Sequence, residues 1–363
     1  MESNRDIPAD AHTRHVFYAG GEYVASEDGN ARSLQGQIYV EHLTPIGKPL
    51  NKYPIVFIPG GGRSSVDFLT KPDGNPGWAS FFLARGHECY LIDPAFRGRS
   101  PWSPSRNSKY HVFPAELVAK AWTTTTTTTS PLYSAQSQWP GTGQPGDPSF
   151  DGMYASTFPS LDDIVLQQST TQKSCAALLD RIARPVILVG HSLGAPVAWL
   201  VADVRPRLVK AVVAVEPAGP PFAGLGASGP RAVLSAYGVS DAPITFVPPV
   251  VDTSVDFVLT RVQGNGEKGQ KEVLLQVGDD DDKPPRQLVN LVDVDVLVIT
   301  GEASRHATYD WGTAAFLRQA GVKEVKHIML GDMGIRGNRH MMMMERNSDQ
   351  IAGLVGGWVD ELG

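Results

Sequence analysis

Cysteine is scarce in this sequence: the 363 residues contain two, Cys89 and Cys175. Both lie in apolar segments, which favours small buried side chains over a redox pair, and two cysteines cannot build a disulfide framework. No apolar run approaches the ~20 residues of a membrane-spanning helix. Residues 1–15 lack the apolar centre of a signal peptide. We therefore expect a soluble protein without a membrane span, cytoplasmic rather than secreted.

Positive charge is also limited, since 32 lysine and arginine residues are outnumbered by 38 aspartate and glutamate residues, for a net charge of −6. No basic cluster stands out, which argues against a nucleic-acid partner and favours a small, neutral or weakly charged ligand. With 42% apolar residues, the chain can bury a substantial core. The sequence leaves the oligomeric state open, a homodimer included.

Short apolar segments alternate with helical patterns along most of the chain. The strand predictions are residues 15–24, 33–45, 53–62, 87–95, 184–190, 209–217, 292–302 and 325–332. The helix predictions are residues 77–86, 161–183, 195–204, 312–321 and 348–362. Strands that alternate with helices indicate an α/β fold with a mostly parallel central sheet and helices on both faces.

Two regions interrupt this alternation. Residues 97–160 are rich in proline, glycine, serine, threonine and aromatic residues and include a threonine run at 123–129, so we expect an extended loop region at one edge of the sheet. Residues 218–292, which contain GDDDDKPP, predict an inserted cap or lid. The α/β core would then comprise residues 1–217 and 293–363, with the first insertion inside it.

GHSLG, residues 190–194, lies between an apolar strand and an alanine-rich helix. G-x-S-x-G in that position is typical of a nucleophile elbow, a sharp turn that exposes the serine hydroxyl, here that of Ser192. The amide of Leu193 would then stabilise negative charge at the start of the helix. PGGG, residues 59–62, is expected to supply a second amide, for which we choose Gly61. Gly62 and His191 would border the same pocket.

A serine nucleophile needs a base, and nine histidines compete for that role. In this topology the base belongs on the loop after the last strand, which selects His340. His306 follows the preceding strand and is the second choice. His327 lies within a strand pattern, which indicates a structural role, while His191 is held beside the nucleophile and points elsewhere.

The base in turn needs an orienting acid. Glu216 directly follows the apolar strand VVAV and precedes a proline. A carboxylate buried there is costly unless it has a partner such as a histidine that becomes charged during turnover. The strand before the last one offers Glu302 and Asp310 as alternatives, so these residues alone favour Glu216 without excluding the other two.

These motifs resemble the α/β-hydrolase superfamily over nearly the whole chain, and DPAFRGRS (93–100) is similar to a segment common after its fourth strand. More narrowly, PDGNPGW (72–78), VEP (215–217) and GNRHMMM (337–343) are similar to motifs of an esterase subgroup found in bacteria and fungi. That resemblance implies a Ser–Glu–His triad of Ser192, Glu216 and His340. The PGGG turn departs from the subgroup's HG-type turn.

We therefore predict a serine esterase or lactonase that needs no cofactor or metal and acts on a bulky, largely apolar small molecule. Trp102, Tyr154 and Met341 are candidates for the substrate pocket, although packing explains each as well. The run of methionines after His340 also fits an anchor for the base loop. One alternative is a natural-product enzyme that uses the same triad to form or break a C–C bond or a lactone. Another is a binding module without catalysis.

Overall fold

The computed structural model describes residues 8–26, 28–102, 108–124, 131–223, 235–266, 269–278 and 284–363, and the backbone of residues 225, 226, 229 and 230. Residues 1–7, most of the threonine run, and part of the predicted cap with its acidic stretch lie outside the described residues. Among the described residues, no helix is long and apolar enough to cross a membrane.

The described residues form sixteen strands and ten α-helices. The strands are β1 (His12–Ala19), β2 (Glu22–Ala25), β3 (Arg32–Gln35), β4 (Ile38–Pro45), β5 (Ile55–Ile58), β6 (Cys89–Asp93), β7 (Tyr110–His111), β8 (Ser160–Leu161), β9 (Val186–His191), β10 (Val209–Val215), β11 (Leu225–Gly226), β12 (Gly229–Pro230), β13 (Leu259–Val262), β14 (Val273–Gln276), β15 (Asp295–Thr300) and β16 (Val325–Met329).

The helices are α1 (Val66–Leu69), α2 (Trp78–Ala84), α3 (Ala115–Val118), α4 (Pro131–Ser134), α5 (Pro148–Tyr154), α6 (Ile164–Ile182), α7 (Gly194–Val204), α8 (Thr253–Asp256), α9 (Asp310–Gln319) and α10 (Ser348–Asp360). Shorter 3₁₀ turns cover Pro206–Leu208, Arg305–Thr308, Leu330–Met333 and Met342–Met344, and a π-helical turn covers Ala119–Thr123.

Eight strands build the central sheet, in the order β1-β4-β6-β5-β9-β10-β15-β16. β1 and β4 pair antiparallel, and β4 pairs antiparallel with β6, whereas all other neighbours run parallel. The predicted α/β fold with a mostly parallel sheet is therefore confirmed. Because β9, β10, β15 and β16 are parallel neighbours, the segments that follow them meet at one edge of the sheet.

The inner strands β5, β6, β9, β10 and β15 are buried on both faces, and their side chains alternate between two hydrophobic clusters. In β9, Leu188 belongs to the cluster beneath α6, α7 and α9, while Val189 belongs to the cluster beneath α2 and α10. Strands buried on both faces are expected to be continuously apolar, which explains the runs VILV and VVAV. Helix α7 is apolar all round because it lies between the sheet and further chain.

The first two predicted strands, 15–24 and 33–45, have the wrong boundaries. Each is broken by glycine: Gly20 and Gly21 interrupt the first and Gly36 the second, all with positive φ. The chain therefore leaves the central sheet after β1, forms the separate hairpin β2–β3, and returns as β4.

The two insertions are more ordered and more closely packed than expected. The described part of residues 97–160 contains three short α-helices, a π-helical turn and the strand β7, which pairs with β8, so the extended loop prediction was incomplete. In the second insertion, Asp241 bonds to Gln168 of α6, and Thr245 bonds to Asp203 near the end of α7. Residues 241–245 therefore pack against the helix layer of α6 and α7. A cap role for residues 218–292 stays a prediction.

Candidate active site

Ser192 occupies a sharp turn between β9 and α7. Its φ of 52° lies in the left-handed region, which is strained for a residue with a side chain. The turn is fixed by backbone hydrogen bonds: Ser192 N donates to Val215 O at 3.0 Å, and Ser192 O accepts from Ala195 N and Ala218 N, each at 3.1 Å. Ser192 is only half-buried, so its hydroxyl remains accessible at the edge of the sheet.

Both glycines of GHSLG are required by close backbone contacts. A Cβ added to Gly190 would lie 2.8 Å from Ala195 Cα, and one added to Gly194 would lie 2.2 Å from Ile58 O. These contacts are with backbone, which cannot move aside as a flexible side chain can. The two glycines of the motif are therefore needed because the turn packs tightly between β5 and α7.

Glu216 follows β10 directly and is fully buried. Its backbone is also in the left-handed region, with φ of 45°, and its amide donates to Ile299 O at 2.9 Å. The carboxylate accepts hydrogen bonds at both oxygens. Gly301 N donates to Oε1 at 2.9 Å, and Ser304 Oγ donates to Oε2 at 2.7 Å. These donors, both on the segment after β15, offset the cost of burying the charge.

His340 completes this group from the segment that follows β16. Its Nδ1 lies 2.8 Å from Glu216 Oε2, and the imidazole is almost completely buried. Burial lowers the pKa of His340 well below its usual range, and the neighbouring His306, Arg305 and Arg339 lower it further. The ring is therefore held in its neutral form, with Nδ1 bonded to the carboxylate and Nε2 on the opposite side.

The segment that carries His340 is anchored by buried polar contacts. Glu345 accepts hydrogen bonds from Asn338 Nδ2 at 2.7 Å and from Arg339 N at 3.0 Å, and burial raises its pKa to about 7. The guanidinium of Arg339 donates to Thr124 O at 3.0 Å and lies over the ring of Tyr133, 4.2 Å from its centroid. The first insertion thus holds the loop of His340 in place.

His191 contacts His340 through a hydrogen bond and through its ring. Its Nε2 donates to the carbonyl oxygen of His340 at 2.9 Å, and the two ring centroids are 4.6 Å apart. Burial lowers the pKa of His191 well below its usual range, so this ring is also neutral. Within the described part of the chain, it forms no hydrogen bond with the Ser192 hydroxyl, and its role in the pocket stays a prediction.

The glycine turn after β5 lies against the serine turn. Gly62 N donates to Ser160 Oγ at 3.0 Å and is therefore engaged. Among the residues that the structure describes, neither Gly61 N nor Leu193 N donates to a protein group. The two residues adjoin, because a Cβ on Gly61 would lie 2.7 Å from Leu193 Cδ1. Amides without a partner at such a turn are suited to bind a negatively charged oxygen.

Arg97 holds the glycine turn in position. Its Nη1 donates to Gly60 O at 2.5 Å and to Arg63 O at 3.3 Å, and the guanidinium is buried. Burial lowers the pKa of Arg97 to about 10, so it remains charged at neutral pH. A buried cation here restrains the carbonyl of Gly60 and, through it, the direction of the Gly61 amide.

The rejected candidates fall into two groups. Glu302 is partly exposed and bonds to Arg336 and to Gly337 N, and among the hydrogen bonds of the described residues it has none to His340. His306 and Asp310, by contrast, lie beside the Glu216–His340 pair. Donor atoms of Glu216, His306 and His340 lie within 4.8 Å of one another, the one such group of potential metal ligands within the described ranges.

The predicted pocket residues are more dispersed. Trp102 packs against Phe96 and Tyr110, with ring centroids 5.6 and 4.3 Å away. Tyr154 donates to Phe113 O at 2.8 Å. Met341 is fully buried in the cluster beneath α2 and α10, which supports the packing interpretation of the methionine run. Pocket roles for Trp102, Tyr154 and Met341 therefore stay predictions.

Sequence reasoning missed three side chains near the site. Ser304, which donates to Glu216, sits in GEAS after β15 and could have been suspected from that position. Arg97 lies in the DPAFRGRS segment, whose resemblance to a common family segment was its signal. Trp122, whose ring centroid is 6.1 Å from that of His340, comes from the irregular insertion and had no sequence signal.

The sequence and the fold are also similar to those of known proteins. Residues 53–268 match the family model described as alpha/beta hydrolase fold. The chain is 38% identical over 345 residues to a protein named probable secreted lipase phiG from Fungal sp. (strain ATCC 74256), with 95% of this chain and 89% of that protein covered. It is also similar to a bacterial esterase structure, with a TM-score of 0.67, 20% identity, and 96% and 95% of the two chains covered. At that identity, the second similarity concerns the fold alone.

Proposed function

Because this chain belongs to the alpha/beta hydrolase fold family, we propose that it is a serine hydrolase that cleaves a carboxylic ester or lactone through an acyl-enzyme intermediate. The observation that carries the proposal is the 2.8 Å contact between His340 Nδ1 and Glu216 Oε2, next to a serine in a strained, accessible turn. A buried histidine–carboxylate pair beside such a serine is the arrangement that activates a hydroxyl nucleophile.

In the proposed first step, Ser192 Oγ bonds to the carbonyl carbon of the substrate while its proton passes to His340 Nε2. Glu216 stabilises the imidazolium and keeps the Nδ1 proton directed away from the serine. The tetrahedral intermediate then collapses: the bond to the leaving oxygen breaks, and His340 returns the proton to that oxygen. The acyl group remains on Ser192 as an ester.

The amides of Gly61 and Leu193 are proposed to hold the negatively charged oxygen of the tetrahedral intermediate. Two donors without other partners cost no reorganisation when charge develops, which is the basis of oxyanion stabilisation. In the second step His340 takes a proton from water, and the hydroxide attacks the acyl-enzyme. The bond to Ser192 Oγ then breaks, His340 returns the proton to that oxygen, and the carboxylic acid is released with the serine and the neutral histidine restored.

The substrate is proposed to be a carboxylic ester or lactone of a bulky, largely apolar small molecule. The name of the fungal relative, a lipase, supports ester cleavage over other reactions of this fold, although it does not identify the molecule that is cleaved. That name also describes a secreted protein, so the prediction of a cytoplasmic location has no support. No metal or cofactor takes part in the proposed steps.

Hydrolysis of p-nitrophenyl esters of increasing chain length tests the proposal. We expect Ser192→Ala to reduce kcat by at least about 10⁴-fold, since the nucleophile is lost. Ser169→Ala is a matched control, because the Ser169 hydroxyl donates within its own helix, to Leu166 O at 3.2 Å, and to no other group that the structure describes. The proposal would be wrong if Ser192→Ala hydrolysed these esters as fast as the wild type.

A further inference from the structure

A second histidine–carboxyl pair lies against the first. The ring of His306 stacks on that of His340, with centroids 4.9 Å apart and planes inclined by 14°. His306 Nδ1 lies 3.2 Å from Asp310 Oδ1, and its Nε2 lies 3.9 Å from Glu216 Oε2. Both members of this second pair are buried. The side chains of Asp310, His306, Glu216 and His340 thus lie next to one another in that order.

The surroundings of Asp310 favour its protonated form. Thr300 Oγ1 donates to Oδ2 at 2.7 Å, and among the described residues no lysine or arginine forms an ion pair with this carboxyl group. Burial raises the pKa of Asp310 well above its usual range, and the charge of Glu216 raises it further. Burial also lowers the pKa of His306 to about 3. Both effects favour a neutral pair over an ion pair.

The proton positions follow from that neutrality. A protonated Asp310 donates to His306 Nδ1, which must then be an acceptor, so the imidazole proton lies on Nε2 and faces Glu216 Oε2. The distance of 3.9 Å is too long for a hydrogen bond, but a dipole in that orientation still stabilises the carboxylate. Tyr309 Oη contacts both ring nitrogens, at 3.0 and 3.1 Å, and Arg305 adds positive charge nearby.

We propose that His306, held in one tautomer by Asp310, is a positioning residue for the triad: its Nε2–H faces the Glu216 carboxylate and its ring supports that of His340. This inference rests on the proposed function. A neutral His306 is required for the role, because a cation stacked on His340 would oppose imidazolium formation during catalysis. The sequence offers His306 as the second choice for the base and Asp310 as an alternative acid. In this proposal the two residues act together to position the triad.

The proton positions can be measured without any substrate. In protein labelled with ¹⁵N-histidine, the two ring nitrogens of each imidazole report its tautomer, and the His306→Phe spectrum assigns the His306 signals. We expect a neutral ring with the proton on Nε2 throughout pH 5–8. A proton on Nδ1, or an imidazolium, would overturn the inference. This measurement stands even if the proposed ester cleavage fails, so the two failures are distinguishable.

Activity of paired variants tests the positioning role. Asp310→Asn supplies an amide N–H to His306 Nδ1 and an oxygen to Thr300, so we expect kcat/KM within about threefold of wild type. Asp310→Leu supplies neither, and His306→Phe keeps only the stacking. We expect both to lose about tenfold to a hundredfold, as for other groups that orient a functional side chain.

The pH midpoint of the acid limb of the kcat/KM profile is a second measurement, because a general loss of stability would not shift it. Without the His306 dipole, Glu216 holds the imidazolium of His340 more strongly, so the limb should shift to higher pH in His306→Phe. An unchanged limb with unchanged kcat/KM would overturn the inference. So would an Asp310→Asn variant as impaired as Asp310→Leu, because the carboxylate charge would then be needed. Circular dichroism checks that each variant is folded.

Discussion

Replacement of Glu216 by glutamine should abolish most of the activity while leaving the shape of the site nearly unchanged. The carboxylate accepts from Gly301 N at Oε1 and from Ser304 Oγ and His340 Nδ1 at Oε2. Glutamine has one oxygen and one NH₂ group for these three donors. If the oxygen takes the Oε2 position, the NH₂ group opposes Gly301 N–H.

In the other orientation the NH₂ group faces His340 Nδ1. The ring must then accept at Nδ1 and carry its proton on Nε2, where it can no longer take the proton of Ser192. A wrong tautomer of this kind costs ~10⁴-fold in kcat in a Ser-His-Asp triad, which corresponds to about 5 kcal/mol of transition-state stabilisation. The expected loss is therefore of that order, with KM changed much less.

The assay is steady-state hydrolysis of a p-nitrophenyl ester, with thermal unfolding to show that the variant is folded. Glu302→Gln is the matched control: Glu302 contacts Arg336 and Gly337, not His340, so its kcat should stay within about threefold of wild type. A Glu216→Gln variant within about tenfold of wild type, or an equal loss in Glu302→Gln, would refute the assignment of the acid.

Two other predictions concern the oxyanion turn and the base. Arg97→Met removes the donors to Gly60 O and Arg63 O, which frees the turn that carries Gly61; we expect kcat to fall about tenfold to a hundredfold with little change in KM, and unaltered kinetics would contradict this. Because burial lowers the pKa of His340 and the neutral ring is the active form, kcat/KM should fall only as pH drops through that lowered value; an acid limb with its midpoint at or above the usual 6.5 would contradict this.

The parts of the fold that obey local rules could be predicted from the sequence. GHSLG between a strand and a helix predicts a tight turn. The runs VILV and VVAV are typical of strands buried on both faces. The α/β-hydrolase fold that these features predict is confirmed by the family match and by the structural similarity. The split of the first two predicted strands was missed, because glycine in a strand pattern also fits a bulge or a close backbone contact.

The site depends on contacts between segments distant in sequence, and these were harder to predict. Glu216 was suspected because a carboxylate at the end of an apolar strand needs a partner. The position of Ser304 after β15 was the one sequence signal for its contact with Glu216, and no motif connects Thr124 to Arg339. Each pair is joined by the three-dimensional arrangement of segments that are distant in sequence. His306 and Asp310 were considered as competitors of His340 and Glu216, and the structure places them side by side instead.

Labelling with a fluorophosphonate, followed by peptide mass spectrometry, tests the central claim most directly. An activated serine beside a neutral buried histidine should form one covalent adduct per chain, on the peptide that contains Ser192. The adduct should form far more slowly in Glu216→Gln and His340→Ala and be absent in Ser192→Ala. A wild-type chain that remains unlabelled, or an adduct on any other residue, would contradict the account.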